Sequence, residues 1–188
     1  MVIAGLVVYR LNRGERPSPP VPKSAALRET RTAPPLAIPL ADQNKHIVKL
    51  ERYYGRAPIV IVFFDQDAGA DKDPYLTRLR DCFDQLDSDG IEVVGISTAS
   101  SFQNQQAEER AGKKFPFPLL SDIHPEGHSP APISIQFGLF DVSTQTIRTA
   151  VFLIDRAGQV AWDGAAPRPV MDPAAAIDAL CRGERPGE

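Results

Sequence analysis

A chain of 188 residues with 43% hydrophobic content can bury one real core and leave a tail beside it. A formal charge of −3, a pI near 5.7 and the lack of a long basic run or an interleaved aromatic stripe exclude a nucleic-acid surface. Two cysteines, Cys82 and Cys181, with neither a Cys-x-x-Cys pair nor zinc-type spacing, exclude the dithiol motif of thioredoxins and a structural zinc site.

Residues 2–9 form an apolar run followed by Arg10, Arg13 and Arg16. The run is far short of the roughly 20 residues that span a bilayer, and its charges follow the apolar stretch instead of preceding it as in a signal peptide. Two readings stand for residues 1–13: an unstructured end, or the trailing half of a membrane anchor that starts upstream of Met1. In the second, the arginines and the domain behind them face the cytoplasm. The location is therefore cytoplasmic, or membrane-anchored with a cytoplasmic-facing domain. Residues 14–32, rich in Pro, Ser, Lys and Arg, read as an extended linker that does not pack, and residues 33–188 as the folded domain.

Ile59-Val60-Ile61-Val62-Phe63-Phe64 reads as a strand buried on both faces. A polar loop, Asp65 to Lys72, leads to Asp73-Pro74, an N-cap followed by a first helical position. That helix is expected over 74–88, with Leu76, Leu79, Phe83 and Leu86 as its apolar stripe and Cys82 on the stripe's edge. Cys82 reads first as a packing residue, and it lies about 13 Å along a helix axis from Asp73. Cys181 ends the last helix; nothing in the sequence shows whether the two cysteines pair.

Next come a strand over 91–97, a helix over 101–114 capped by Ser100 or Ser101, and Leu119-Leu120 leading into a long loop, 122–136. The loop holds His124, Glu126 and His128, but Pro125 and Gly127 deny it a helix that would align them, and no metal site is assigned. His46 reads as a surface residue. Ile147 to Ile154 and Gln159 to Trp162 are expected to form a hairpin turned by Arg156-Ala157-Gly158. Asp172 caps a last helix, Pro173 starts it, and Gly183 follows its end.

Several segments, in order, carry a family resemblance: Ala33-Pro34-Pro35-Leu36 with Asp42-Gln43-Asn44-Lys45 and Val48-Lys49-Leu50, Tyr54-Gly55-Arg56, Val93-Val94-Gly95-Ile96-Ser97, Phe117-Pro118-Leu119-Leu120-Ser121-Asp122, Phe137-Gly138-Leu139 and Phe152-Leu153-Ile154-Asp155. Over roughly 33–182 the chain resembles the redoxins, the peroxiredoxins of the alkyl hydroperoxide reductase and thiol-specific antioxidant group. The resemblance implies an α/β, thioredoxin-like fold, a central mixed sheet flanked by helices, with an N-terminal tail. It also implies a thiol peroxidase that needs no cofactor.

Here the chain departs from the family. The family's Pro-x-x-x-Thr-x-x-Cys loop falls on Gln66, Ala70 and Asp73, so the peroxidatic position is occupied by Asp73. A thiolate can attack the O–O bond and return from sulfenic acid; a carboxylate keeps the charge and cannot run that cycle. The family's catalytic arginine has one counterpart, Arg148, separated from Phe152 by three residues where two are expected, so strand alternation would turn it to the other face. Three functions follow. The first is a fold-retaining binding or scaffold module with a protein partner of unknown kind. The second is an oxidoreductase or antioxidant protein working through Cys82, Cys181 or a partner's thiol. The third is acid–base or cation work by Asp73 with Asp65, Asp67 and Asp71.

Overall fold

The computed structural model describes residues 30–34, 37–123, 131–164 and 166–184. In chain order its first half runs β1 (Thr30–Thr32), β2 (Leu40–Ala41), β3 (Ile47–Val48), a 3₁₀ turn (Leu50–Tyr53), β4 (Ile59–Phe63), α1 (Pro74–Asp81), α2 (Phe83–Ser88), β5 (Glu92–Ser97) and α3 (Ser101–Ala111). The second half runs β6 (Leu119–Ser121), α4 (Pro132–Gln136), β7 (Phe140–Asp141), β8 (Thr146–Ile147), β9 (Ala150–Ile154), β10 (Gln159–Asp163), β11 (Ala166–Pro167) and α5 (Pro173–Cys181).

A six-stranded sheet in the order β3-β2-β6-β5-β4-β9 forms the centre. β4 runs parallel to β5, and β5 to β6, while β9 lies antiparallel on β4 with Phe63 opposite Ala150 and Ile59 opposite Ile154. This is the expected mixed sheet flanked by helices. β4 has a neighbour on each edge and a packed layer on each face, so all five of its residues are buried. Its alternating side chains feed two cores. Ile59, Ile61 and Phe63 join Ile133, Phe137 and Phe152 on one face. Val60, Val62 and the following Phe64 join Leu76, Leu79, Leu86, Ile177 and Leu180 from α1, α2 and α5 on the other. On the first face the rings of Phe63, Phe137 and Phe152 meet at centroid distances of 4.8 to 5.7 Å, tilted or edge-on, the arrangement that adds about 0.5–1.5 kcal/mol per pair beyond area burial. On the second face Gly95 admits the helices: a Cβ there would stand 2.8 Å from Leu119 Cδ2 and 3.2 Å from Leu76 Cδ2.

The helix starts expected from sequence are present. Asp73, Ser100 and Asp172 cap α1, α3 and α5; Ser100 shares a capping box with Gln103, which decides between the two serines. Five features differ from expectation. The helix over 74–88 is broken at Cys82, where φ −113° and ψ 17° leave helical geometry and end α1 before α2 begins. α3 stops at Ala111 because Gly112 takes the left-handed conformation, φ 63°. Thr30–Thr32, the last residues of the expected linker, pair with β10 as β1. Within the expected loop 122–136 lies α4. Finally, the turn after β9 closes as expected through Asp155 and Gly158, but the two strands diverge: β9 joins β4, and β10 pairs with β1 and β11 in a separate three-stranded sheet. β9's outer edge is met instead by Val170, whose N–H donates to the Val151 carbonyl.

Candidate functional site

The loop between β4 and α1 folds around its own backbone. The Asp65 carboxylate accepts the Asp67 amide at 2.8 Å, and the Asp65 carbonyl accepts the Gly69 amide at 3.0 Å. Gly69 has φ 83°, and a Cβ there would come within 2.8 Å of both Arg110 Nη2 and Asp71 Oδ1, so glycine answers to torsion and to space. Arg110 of α3 grips Asp71 with two bonds, Nη2–Oδ1 at 2.7 Å and Nε–Oδ2 at 3.2 Å. This guanidinium holds the Asp71 carboxyl below the usual range. Ala70 is fully buried, and Gln66 accepts a 2.6 Å bond from the Thr98 hydroxyl. The outer side of the loop and α3 border a polar hollow of about 310 Å³ lined by Gln66, Gly69, Gln103 and Arg110.

Asp73 closes the loop. It is 7% exposed, and its Oδ1 accepts the amides of both Tyr75 and Leu76 at 2.9 Å. Burial outweighs these two bonds and raises its carboxyl above the usual value. No cationic side chain among the described residues pairs with it. Three of the four acids serve separate partners: Asp65 turns the loop, Asp71 is held by Arg110, and Asp73 caps α1. No cluster of three potential metal ligands occurs among the described residues. His124, Glu126 and His128 lie outside them.

Arg148 stands between β8 and β9, exposed, two residues beyond the Phe63–Ala150 pair that ends the β4–β9 ladder. Its Nη2 donates to the Gly138 carbonyl at 3.0 Å and its backbone N–H to the Leu139 carbonyl at 3.1 Å. The structure thus engages Arg148 with the Gly138 turn and leaves Asp73 without it.

Cys82 and Cys181 are joined in a disulfide with Cα atoms 5.5 Å apart, across a sequence separation of 99. Cys82 packs against the second core, as expected, and it is also bonded, which sequence reasoning left open. Both cysteines are partly exposed. The bridge ties the α1–α2 break to the end of α5, beside an ion pair from Arg78 Nε to Asp178 Oδ1 at 2.8 Å.

Three polar residues given no individual role from the sequence also shape the region. Asp122 is fully buried and accepts the amides of Ile133 and Ser134 and the Ser134 hydroxyl at 2.7 to 3.0 Å, fixing the start of α4; burial raises its carboxyl. Gln43, 3% exposed, accepts the Leu119 amide at 2.8 Å and donates to the Phe117 carbonyl at 3.2 Å, so that a side chain completes the end of β6. Asn104 of α3 donates to the Leu119 carbonyl at 3.2 Å. Their partners lie 11 to 76 positions away in the chain, so no local pattern announces them. His46 is exposed, 3.4 Å from Asp42.

Residues 30–163 match the AhpC/TSA family, well over half the chain. The chain belongs to that family. Among curated relatives, alkyl hydroperoxide reductase E of Mycobacterium tuberculosis is 29% identical over 119 residues, covering 63% of this chain and 74% of that protein. The chloroplastic peroxiredoxin Q of Sedum lineare is 30% identical over 119 residues, covering 63% and 62%. Among solved structures, the bacterioferritin comigratory protein of Xanthomonas campestris superimposes with a TM-score of 0.60 at 19% identity, covering 79% of this chain and 89% of that one. The 2-Cys peroxiredoxin of Plasmodium vivax does so at 0.58 and 20% identity, covering 81% and 96%. At these identities the structural likeness establishes the thioredoxin-like fold. This AhpC/TSA chain is a peroxiredoxin-like redoxin domain.

Proposed function

We propose that this redoxin domain works without a peroxidatic thiol, as a binding or scaffold module for a protein partner, and that Asp73 occupies the position the family gives to its reactive cysteine. The observation that carries the reading is the use of the α1 N-terminus. The amides that would stabilise a thiolate there are taken by the Asp73 carboxylate, which caps the helix and carries no redox chemistry. Two further observations support it. Both cysteines are bonded to each other, and Arg148 is engaged with Gly138.

A second reading rests on the partly exposed Cys82–Cys181 pair, which as a two-electron couple could serve a thiol oxidoreductase. Hydrogen peroxide consumption by the purified protein, with a dithiol reductant supplied, separates the two. The binding-module reading expects no turnover above that of the double Cys82→Ser, Cys181→Ser variant. Turnover that disappears in the double variant would overturn it in favour of the second reading.

Among the described residues no helix is long and apolar enough to cross a membrane. The apolar run at residues 2–9 lies outside them, and a membrane anchor there stays a proposal.

A further inference from the structure

We infer that the Cys82–Cys181 bridge is a redox-operated clasp on the C-terminal helix: reduction by a dithiol loosens α5 from α1 and α2 ahead of the central sheet. The inference comes from how little else holds α5. The helix has nine residues, below the roughly 12 that an isolated helix needs even to be marginal in water. Only Ile177 and Leu180 are buried from it. Its ion pair to α1, Arg78 with Asp178, has both side chains about half exposed (51% and 49%), where such pairs contribute little. Among the described residues the covalent link is the one strong attachment, and it sits at the helix's last residue.

The elements on either side of this attachment are secured independently. Upstream of α5, the Val170 amide is bonded to the Val151 carbonyl of β9, so the chain is pinned to the sheet until just before Asp172. Under α5, Leu76, Leu79 and Leu86 remain packed against β4 and β5 through their own helices. The core on the opposite face, built on Phe63, Phe137 and Phe152, takes nothing from α5. Opening can therefore be confined to the segment after Val170, the kind of low-stability unit that opens ahead of a domain.

Both cysteines are partly exposed, which leaves a path for exchange. A thiolate of the dithiol attacks one sulfur, the S–S bond breaks and the other cysteine leaves as a thiolate that takes up a proton. The reductant's second thiol then displaces the mixed disulfide, so the reductant is oxidised by two electrons and Cys82 and Cys181 end as thiols.

Amide hydrogen exchange on the full chain, oxidised and after reduction with dithiothreitol, tests the clasp. Reduction is expected to lower the protection of the α5 amides relative to those of β4, β5 and β9 by roughly ten-fold or more. The double Cys82→Ser, Cys181→Ser variant should show the same gap without reductant, and no response to it. If α5 and the sheet stay together, whether both unchanged or both lowered by one factor, the bridge is a staple of the whole domain and the inference is overturned. A response of the double variant to dithiothreitol would overturn it as well. Peroxide turnover is not read here, so the outcome is independent of the role given to Asp73.

Discussion

Replacing Asp73 by alanine removes the acceptor of two amides at once. An N-cap substitution of this kind costs about 0.5–2 kcal/mol. The upper part of that range applies here, because the bond to the Leu76 amide is buried whereas that to Tyr75 is partly open to water. A loss near 2 kcal/mol, at an m-value of about 2 kcal/mol per molar, lowers the urea midpoint by about 1 M. Asp73→Asn separates cap from charge, since asparagine caps about as well as aspartate. Burial raises the Asp73 carboxyl in the folded state, so folding retains the proton to higher pH than the unfolded chain does. The stability from this group is then complete below the unfolded value near 3.9 and declines as pH rises through the folded one. Asp73→Asn should therefore be at least as stable as the parent at neutral pH, with the difference closing as pH falls toward 4, while Asp73→Ala stays below both. Urea midpoints at several pH values decide it. An Asn variant as unstable as the Ala variant at neutral pH would show that the charge, not the cap, is what α1 needs, and would refute the reasoning.

The double Cys82→Ser, Cys181→Ser variant should lose about 2–4 kcal/mol of global stability, since a cross-link over a separation of 99 restricts the unfolded chain by up to about 4.7 kcal/mol in the loop-entropy account; a loss under about 1 kcal/mol in denaturant unfolding would contradict it. Gly95→Ala should cost about 1–3 kcal/mol, because the new methyl meets Leu119 at 2.8 Å in a filled core, and an unchanged midpoint would mean that the helices move off the sheet freely. Asp73→Cys should give a thiol with a pKa at or above the ordinary value of about 8.5, because the burial that raises the carboxyl persists and no described cation pairs with the position. Alkylation against pH reads this single free thiol, and a strongly depressed pKa would contradict the prediction.

What was legible in the sequence was local. The doubly buried strand at Ile59–Phe63, the Asp73-Pro74 and Asp172-Pro173 helix starts and the capping serine before α3 are written in adjacent residues, and all are present. What was not legible depends on distant partners. The break at Cys82 falls on a residue bonded to one 99 positions away. β9 and β10 part because Val170 meets one and Thr30–Thr32 the other. α4 starts on Ala131 at φ 52°, under amides held by the buried Asp122 carboxylate, a geometry that no local pattern announces. Arg148 could be named but not aimed, because a one-residue offset at the end of a strand decides which way a side chain leaves it.

On the proposed reading, a thiol at position 73 would not by itself restore peroxide chemistry, because the charges around the loop have been redistributed. A reactive thiolate draws on positive potential from a helix N-terminus, from a nearby cation, or from both. The helix N-terminus is intact, yet at Asp73 it fails to offset burial, as the raised carboxyl shows. The guanidinium that reaches the loop from α3, Arg110, is committed to Asp71, while Arg148 donates to the Gly138 carbonyl. Ala70, which the proposed alignment puts at the family's threonine position, is fully buried and offers no hydroxyl. A neutral or capping side chain suits that environment better than a permanent anion, and the same environment penalises a thiolate. On that reading the buried carboxylate and its two amide bonds serve to hold α1 in place, and the described surroundings of Asp73 add no cation that would activate a nucleophile there.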